Sequence, residues 1–222
     1  MNKAAVLERL TVTGVIPVIR ARSADEAAAA IAAIQKGGVS VLEITMTVPG
    51  AVELIREIAR RAPDALVGAG TVLDPPSAHA CIEAGARFVV SPALNLETIA
   101  ACRAADVAVL PGALTPTEVL TAWNAGADFV KVFPANAVGG PSYLKSLKAP
   151  LPQVRLVPTG GVNLQTAKDF IKAGASALGV GADLVDLEAL RRGEADRLTE
   201  RARQFLALVA EARAEERGPA GA

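Results

Sequence analysis

Residues 124–134 read NAGADFVKVFP, and this stretch decides the fold. A helical pattern stops at a glycine and gives way at once to a short β-branched and aromatic run closed by proline, the junction of a helix with a strand. The same phrase recurs as KGGVSVLEIT at 36–45, EAGARFVVSP at 83–92 and KAGASALGVG at 172–181, at intervals of about 40 to 50 residues. Between these lie GVIPVIR (14–20), ALVGAG (65–70), VAVLPG (107–112) and VRLVPTGG (154–161), each an apolar run stopped by Gly, Pro or Thr. Eight strand candidates result, separated by helical patterns. Strands apolar on both faces and joined through helices are parallel, and eight βα units close most naturally into a single (β/α)8 TIM barrel. A doubly wound open sheet is the lesser alternative.

The rest of the chain fits one domain over 1–222: MNKAAVLERL starts an amphipathic helix, PSYLKSLKAP (141–150) reads as a short helix and loop, and 214–222 as a frayed polar tail. SADEAAAAIAAIQK opens on a serine cap, and PGAVELIREIARRA places Pro49 in a first helical turn. Lys plus Arg equals Asp plus Glu at 23 each, which gives no reason to expect nucleic acid or an acidic membrane as partner. Apolar runs break well before membrane-span length and no signal-peptide core is present, so a cytoplasmic location is expected. Cys81 and Cys102 fall in helical patterns and read as small core hydrophobes. His79 is the one histidine, which excludes sites built on several imidazoles and leaves a carboxylate-bound Mg²⁺ open.

Active sites of such barrels collect at the C-terminal ends of the strands. Those ends are Arg20, Glu43 with Thr45 and Thr47, Gly70-Thr71, Ser91-Pro92, Pro111-Gly112, Lys131 with Phe133-Pro134, Thr159-Gly160-Gly161 and 179–182. Lys131 is the only lysine inside a strand. Burial disfavours an ammonium and favours the neutral amine that imine formation with a ketone requires. Glu43 stands among apolar residues of VLEIT, where a carboxylate needs a cation or a task. Two readings stay open: an ion pair that satisfies both groups, or a proton carrier beside a Schiff base.

These residues resemble the 2-keto-3-deoxy-6-phosphogluconate (KDPG) and 4-hydroxy-2-oxoglutarate (KHG) aldolases, class I Schiff-base lyases, from about Gly14 to Val185. GGVSVLEIT matches the glutamate motif, GAGTVLDP the threonine-bearing third strand, GADFVKVFPANAVGG the lysine motif and VPTGGV the phosphate-side loop. The resemblance implies that Lys131 forms the imine, Glu43 shuttles protons and Thr71 holds the pyruvate portion. It also implies a homotrimer that acts on a small 2-keto acid with neither metal nor cofactor. Thr159 is a further candidate for the pyruvate carboxylate. Gly160, Gly161, Gly181 and Ala182 are candidates for a phosphate through their backbone N–H groups, with Pro92 lining the same cavity.

Two departures bear on the substrate. The family motif often reads E-V-T-L-R, and here Thr47 replaces that arginine, with Arg20 a candidate for the missing positive charge. Ala182 stands where members commonly carry serine, which softens the expected phosphate preference and returns KHG and non-phosphorylated keto-deoxy acids to the candidates. The rivals are a phosphate-binding barrel isomerase or decarboxylase without an imine, and a non-catalytic or engineered trimeric scaffold.

Overall fold

The computed structural model describes residues 1–217. Helix α1 (Lys3–Thr13) leads into β1 (Val15–Ile19), and the chain then alternates: α2 (Ala24–Lys36), β2 (Val41–Thr45), α3 (Ala51–Arg61), β3 (Leu66–Gly70), α4 (Pro75–Glu83), β4 (Phe88–Val90), α5 (Leu96–Ala104). It continues through β5 (Ala108–Leu110), β6 (Gly112–Ala113), α6 (Pro116–Asn124), β7 (Val130–Val132), α7 (Pro141–Lys148), β8 (Leu156–Pro158), α8 (Ala167–Lys172) and β9 (Leu178–Val180). Two helices, α9 (Leu187–Arg191) and α10 (Ala195–Arg217), follow. All eight predicted strands are present. The fifth is cut in two because Pro111 has no N–H to give to a ladder.

The pairing is parallel throughout, in a six-stranded sheet ordered β5-β4-β3-β2-β1-β9 and a three-stranded sheet ordered β6-β7-β8. Isolated bridges Leu156↔Ala175 and Thr159↔Gly179 run from the three-stranded sheet toward β9. Both sheets curl around one interior, built from Ile16, Val41, Leu66, Phe88, Phe129 and Val157. Val6 and Leu10 of α1 join that same cluster, so the first helix covers the strand starts. A second, larger core lies between the strands and the other helices.

Local chemistry sets most helix starts. Ser23, Asp74, Asn95 and Thr115 each accept a hydrogen bond from the N–H three residues on, and Thr115 and Glu118 complete a reciprocal capping box. Pro49 precedes α3 instead of entering it: Gly50, at φ +71°, is the N-cap, a left-handed conformation that glycine alone adopts without strain. Cys81 and Cys102 are free and buried, and burial pushes both thiols up to about 11. Of the tail read as frayed, 214–217 continue α10 as helix, and 218–222 lie outside the described residues. Among the described residues no helix is long and apolar enough to cross a membrane.

Candidate active site

Glu43 and Lys131 belong to different sheets, yet Lys131 Nζ lies 3.7 Å from Glu43 Oε1 with both residues about 95 % or more buried. That separation suits an ion pair and exceeds a hydrogen bond, and Glu43 Oε1 has no hydrogen-bond partner. Burial raises the Glu43 carboxyl above its ordinary range; the positive charges of Lys131 and Arg20 pull it down without cancelling the effect. On the other side the Lys131 ammonium sits 5.4 Å above the Phe133 ring.

The neighbouring strand makes room for this pair. Thr45 is in register with Gly70, and a Cβ on Gly70 would stand 2.2 Å from Glu43 Oε1. Gly70 has no positive φ to explain it, so the carboxylate is the reason for the glycine. Sequence reading placed Gly70 at a strand end without giving it a role; its signal was register with the glutamate strand, visible only once β2 and β3 are aligned. Thr71, the next residue, has φ +58°, a strained value for a β-branched side chain, and its hydroxyl has no hydrogen bond among the described residues.

Beside the pair opens a cavity of about 640 Å³ lined by seven of the predicted residues: Arg20, Phe133, Thr159, Gly160, Gly161, Gly181 and Ala182. Gly160 and Gly161 take φ +95° and +72° and pack on Asn136. Gly181 is different: its φ is unremarkable, and a Cβ there would meet no atom within 4 Å. Apart from the strand ladders and the bridge Thr159↔Gly179, the N–H groups of Gly160, Gly161, Gly181 and Ala182 donate to no carbonyl among the described residues. Thr159 is buried with its hydroxyl unpaired, and Gly179 leaves space for that hydroxyl.

Five of the twelve predicted residues are not part of the cavity lining: Glu43, Lys131, Thr71, Pro92 and Thr47. Pro92 does not line the cavity; its carbonyl packs against Gly112, where a Cβ would approach within 2.2 Å. Thr47 also stays outside it. Thr45 Oγ1 donates to the Ile19 carbonyl, so the 2.7 Å contact between the two hydroxyls is Thr47 donating to Thr45, and its proton is already committed. The sequence reading missed Val18, Val162, Asp183, Asp186 and Glu188 on the cavity wall, because they follow or flank strand ends without a distinctive pattern. Among the described residues no cluster of three or more His, Cys, Asp or Glu is placed to hold a metal ion.

A buried amine and carboxylate thus face each other next to the cavity, an arrangement that an ion pair and amine-nucleophile chemistry both accommodate. The family model "KDPG and KHG aldolase" matches residues 6–201, and the chain belongs to that family. It is 39 % identical over 196 residues to the KHG/KDPG aldolase of Escherichia coli K12, covering 88 % of this chain and 92 % of that one. Among solved structures it is similar to KDPG aldolase from Legionella pneumophila with pyruvate captured as a covalent carbinolamine intermediate. That match has a TM-score of 0.84 and 31 % identity, and it covers 92 % and 98 % of the two chains. It is also similar to a cube-shaped protein cage designed by fusing symmetric oligomeric domains, at TM-score 0.81 and 32 % identity, covering 92 % of this chain and 74 % of that one.

Proposed function

We propose that the protein is a class I aldolase that cleaves KDPG to pyruvate and glyceraldehyde 3-phosphate, and KHG to pyruvate and glyoxylate. The observation that carries this reading is the 3.7 Å approach of a buried lysine to a buried, hydrogen-bond-deficient glutamate. The Lys131 amine adds to the C2 ketone to give a carbinolamine, which loses water to a protonated imine. Glu43, directly or through water, takes the C4 hydroxyl proton. The C3–C4 bond then breaks, its electrons pass into an enamine and the aldehyde leaves. A proton returned to C3 and a water added at C2 release pyruvate and the free amine. The imine is the electron sink, so the scheme calls on neither metal nor cofactor.

In this reading Thr71 and Thr159 bind the pyruvate carboxylate with the hydroxyls that no protein group occupies. Arg20, close enough to Glu43 to lower its pKa and also on the cavity wall, supplies the cation that Thr47 lacks. Gly160, Gly161, Gly181 and Ala182, on the cavity wall, take the far end of the substrate in this reading. The same reading takes the two sheets as parts of one eight-stranded barrel, supported by β5 and β6 flanking Pro111 in sequence and by the bridges toward β9. One domain, a homotrimer and a cytoplasmic location complete the proposal; the resemblance to a cage of oligomeric domains supports the assembly.

Borohydride reduction in the presence of pyruvate tests it. A pyruvate-derived adduct on the peptide that carries Lys131, absent in Lys131→Arg, is the expected result. An isomerase or decarboxylase without an imine gives no adduct.

A further inference from the structure

We propose that Thr166 is a positioning residue for the phosphate end of the substrate: its hydroxyl holds the Gly161 carbonyl away from the cavity and so aims the Val162 N–H into it as a further anion donor. The proposal rests on the aldolase reading above and adds a residue, itself outside the cavity, that tunes the binding of a phosphorylated tail.

Thr166 stands where a helix begins, yet its side chain does not cap that helix. It is the N-cap of α8, a place where a threonine oxygen ordinarily accepts from an N–H two or three residues on, and it makes no such bond. The hydroxyl turns back along the chain instead. Its oxygen accepts from the Asn163 N–H at 3.0 Å, and its one proton goes to the Gly161 carbonyl at 2.8 Å; the Asn163 carbonyl, at 3.5 Å, is the poorer acceptor. Asn163 Oδ1 accepts from the N–H groups of Gln165 and Thr166 at 2.9 and 3.0 Å, which fixes the turn from which the hydroxyl reaches back.

What this bond controls is the direction of one peptide group. Because a peptide is planar and trans, a carbonyl tied to one side sends the N–H of the next residue to the other. Gly161 and Val162 line the cavity whereas Asn163 and Thr166 do not, so the side opposite Thr166 is the cavity side. Val162 is buried, and its N–H donates to no acceptor among the described residues. A buried donor left without a partner is costly, and an anionic ligand removes that cost. Glycine makes the tether necessary: Gly161, at φ +72°, has the rotational freedom to let the peptide turn over and present its carbonyl oxygen to the anion. The neighbouring loop fixes the residues before it, through the Ala135 N–H on the Thr159 carbonyl at 2.9 Å and through Asn136 packed on both glycines. The Gly161–Val162 peptide is left to Thr166.

The test is steady-state kinetics on KDPG and on KHG, which carries no phosphate. Wild type is compared with Thr166→Val, which keeps the shape and loses the hydroxyl, and with Thr166→Ser, which keeps the hydroxyl; Thr166→Ala stands in if the valine variant does not fold. In Thr166→Val the KM for KDPG is expected to rise about tenfold, the scale of one hydrogen bond to a charged group, with kcat and the KM for KHG within about twofold of wild type. Thr166→Ser is expected to match wild type on both substrates. A KM for KDPG that moves by less than about twofold without the hydroxyl overturns the proposal, and so does an equal loss on KDPG and KHG, which would make Thr166 a support of the loop alone. Borohydride trapping of pyruvate on wild type separates these failures from a failure of the aldolase reading: an adduct on Lys131 leaves that reading standing, and its absence removes the reading and this proposal with it.

Discussion

Glu43 is a carboxylate held in apolar surroundings with Lys131 at ion-pair distance and Arg20 near enough to act on it, and that arrangement has consequences for stability as well as for chemistry. Its raised pKa comes from burial, so the folded state holds the proton more tightly than the unfolded chain does. The sign follows: the stability linked to this group is fully present below the ordinary carboxyl pKa of 4.5 and is lost as pH rises through the raised folded value. Denaturant unfolding of wild type and Glu43→Gln between pH 4 and 8 is expected to show the advantage of wild type shrinking with rising pH. An advantage that grows with pH would contradict the burial argument. Gly70 offers a second check. In Gly70→Ala the added methyl occupies the carboxylate's place, and kcat is expected to fall about 100-fold with the fold retained, since a displacement of about 1 Å can cost that much. Full activity in that variant would mean that the exact seat of Glu43 is unimportant.

At the level of elements, the strands were readable from sequence because buried parallel strands are near-continuous apolar runs and glycine marks the helix ends before them. Lys131 and Glu43 were readable for the same reason, as charges in runs that otherwise have none. What sequence did not disclose depends on pairing: Gly70 acquires meaning from its register with Thr45, Thr47 loses its role to a hydroxyl two residues away, and Pro92 is drawn to the bare backbone of Gly112. The same holds for the clasp between the first and last helices. Gly14 ends α1 at φ +66°, and Arg213 of α10 donates to the carbonyls of Thr11 and Val12, orphan acceptors at that helix end, and to that of Ser176 ahead of β9. Arg213→Met is expected to lower unfolding free energy by about 2 kcal/mol, the scale of charge-assisted hydrogen bonds, read by urea denaturation. A loss below ~0.5 kcal/mol would show that α10 is held by its apolar face alone.

For the whole molecule, length and charge balance pointed to small-molecule chemistry on one core. The proposed trimer predicts a light-scattering mass three times the 22.7 kDa of the chain. A value matching a single chain would remove that assembly while leaving Lys131 and Glu43, which lie on one chain, untouched.

Helix α1 stoppers the floor of the sheet interior with Val6 and Leu10. Under the proposed chemistry reactant and both fragments then pass by the opposite rim, where the cavity lies. Under the proposed chemistry the aldehyde fragment, tethered by nothing covalent, departs through it first, and pyruvate stays fastened to the amine until water arrives by that same route.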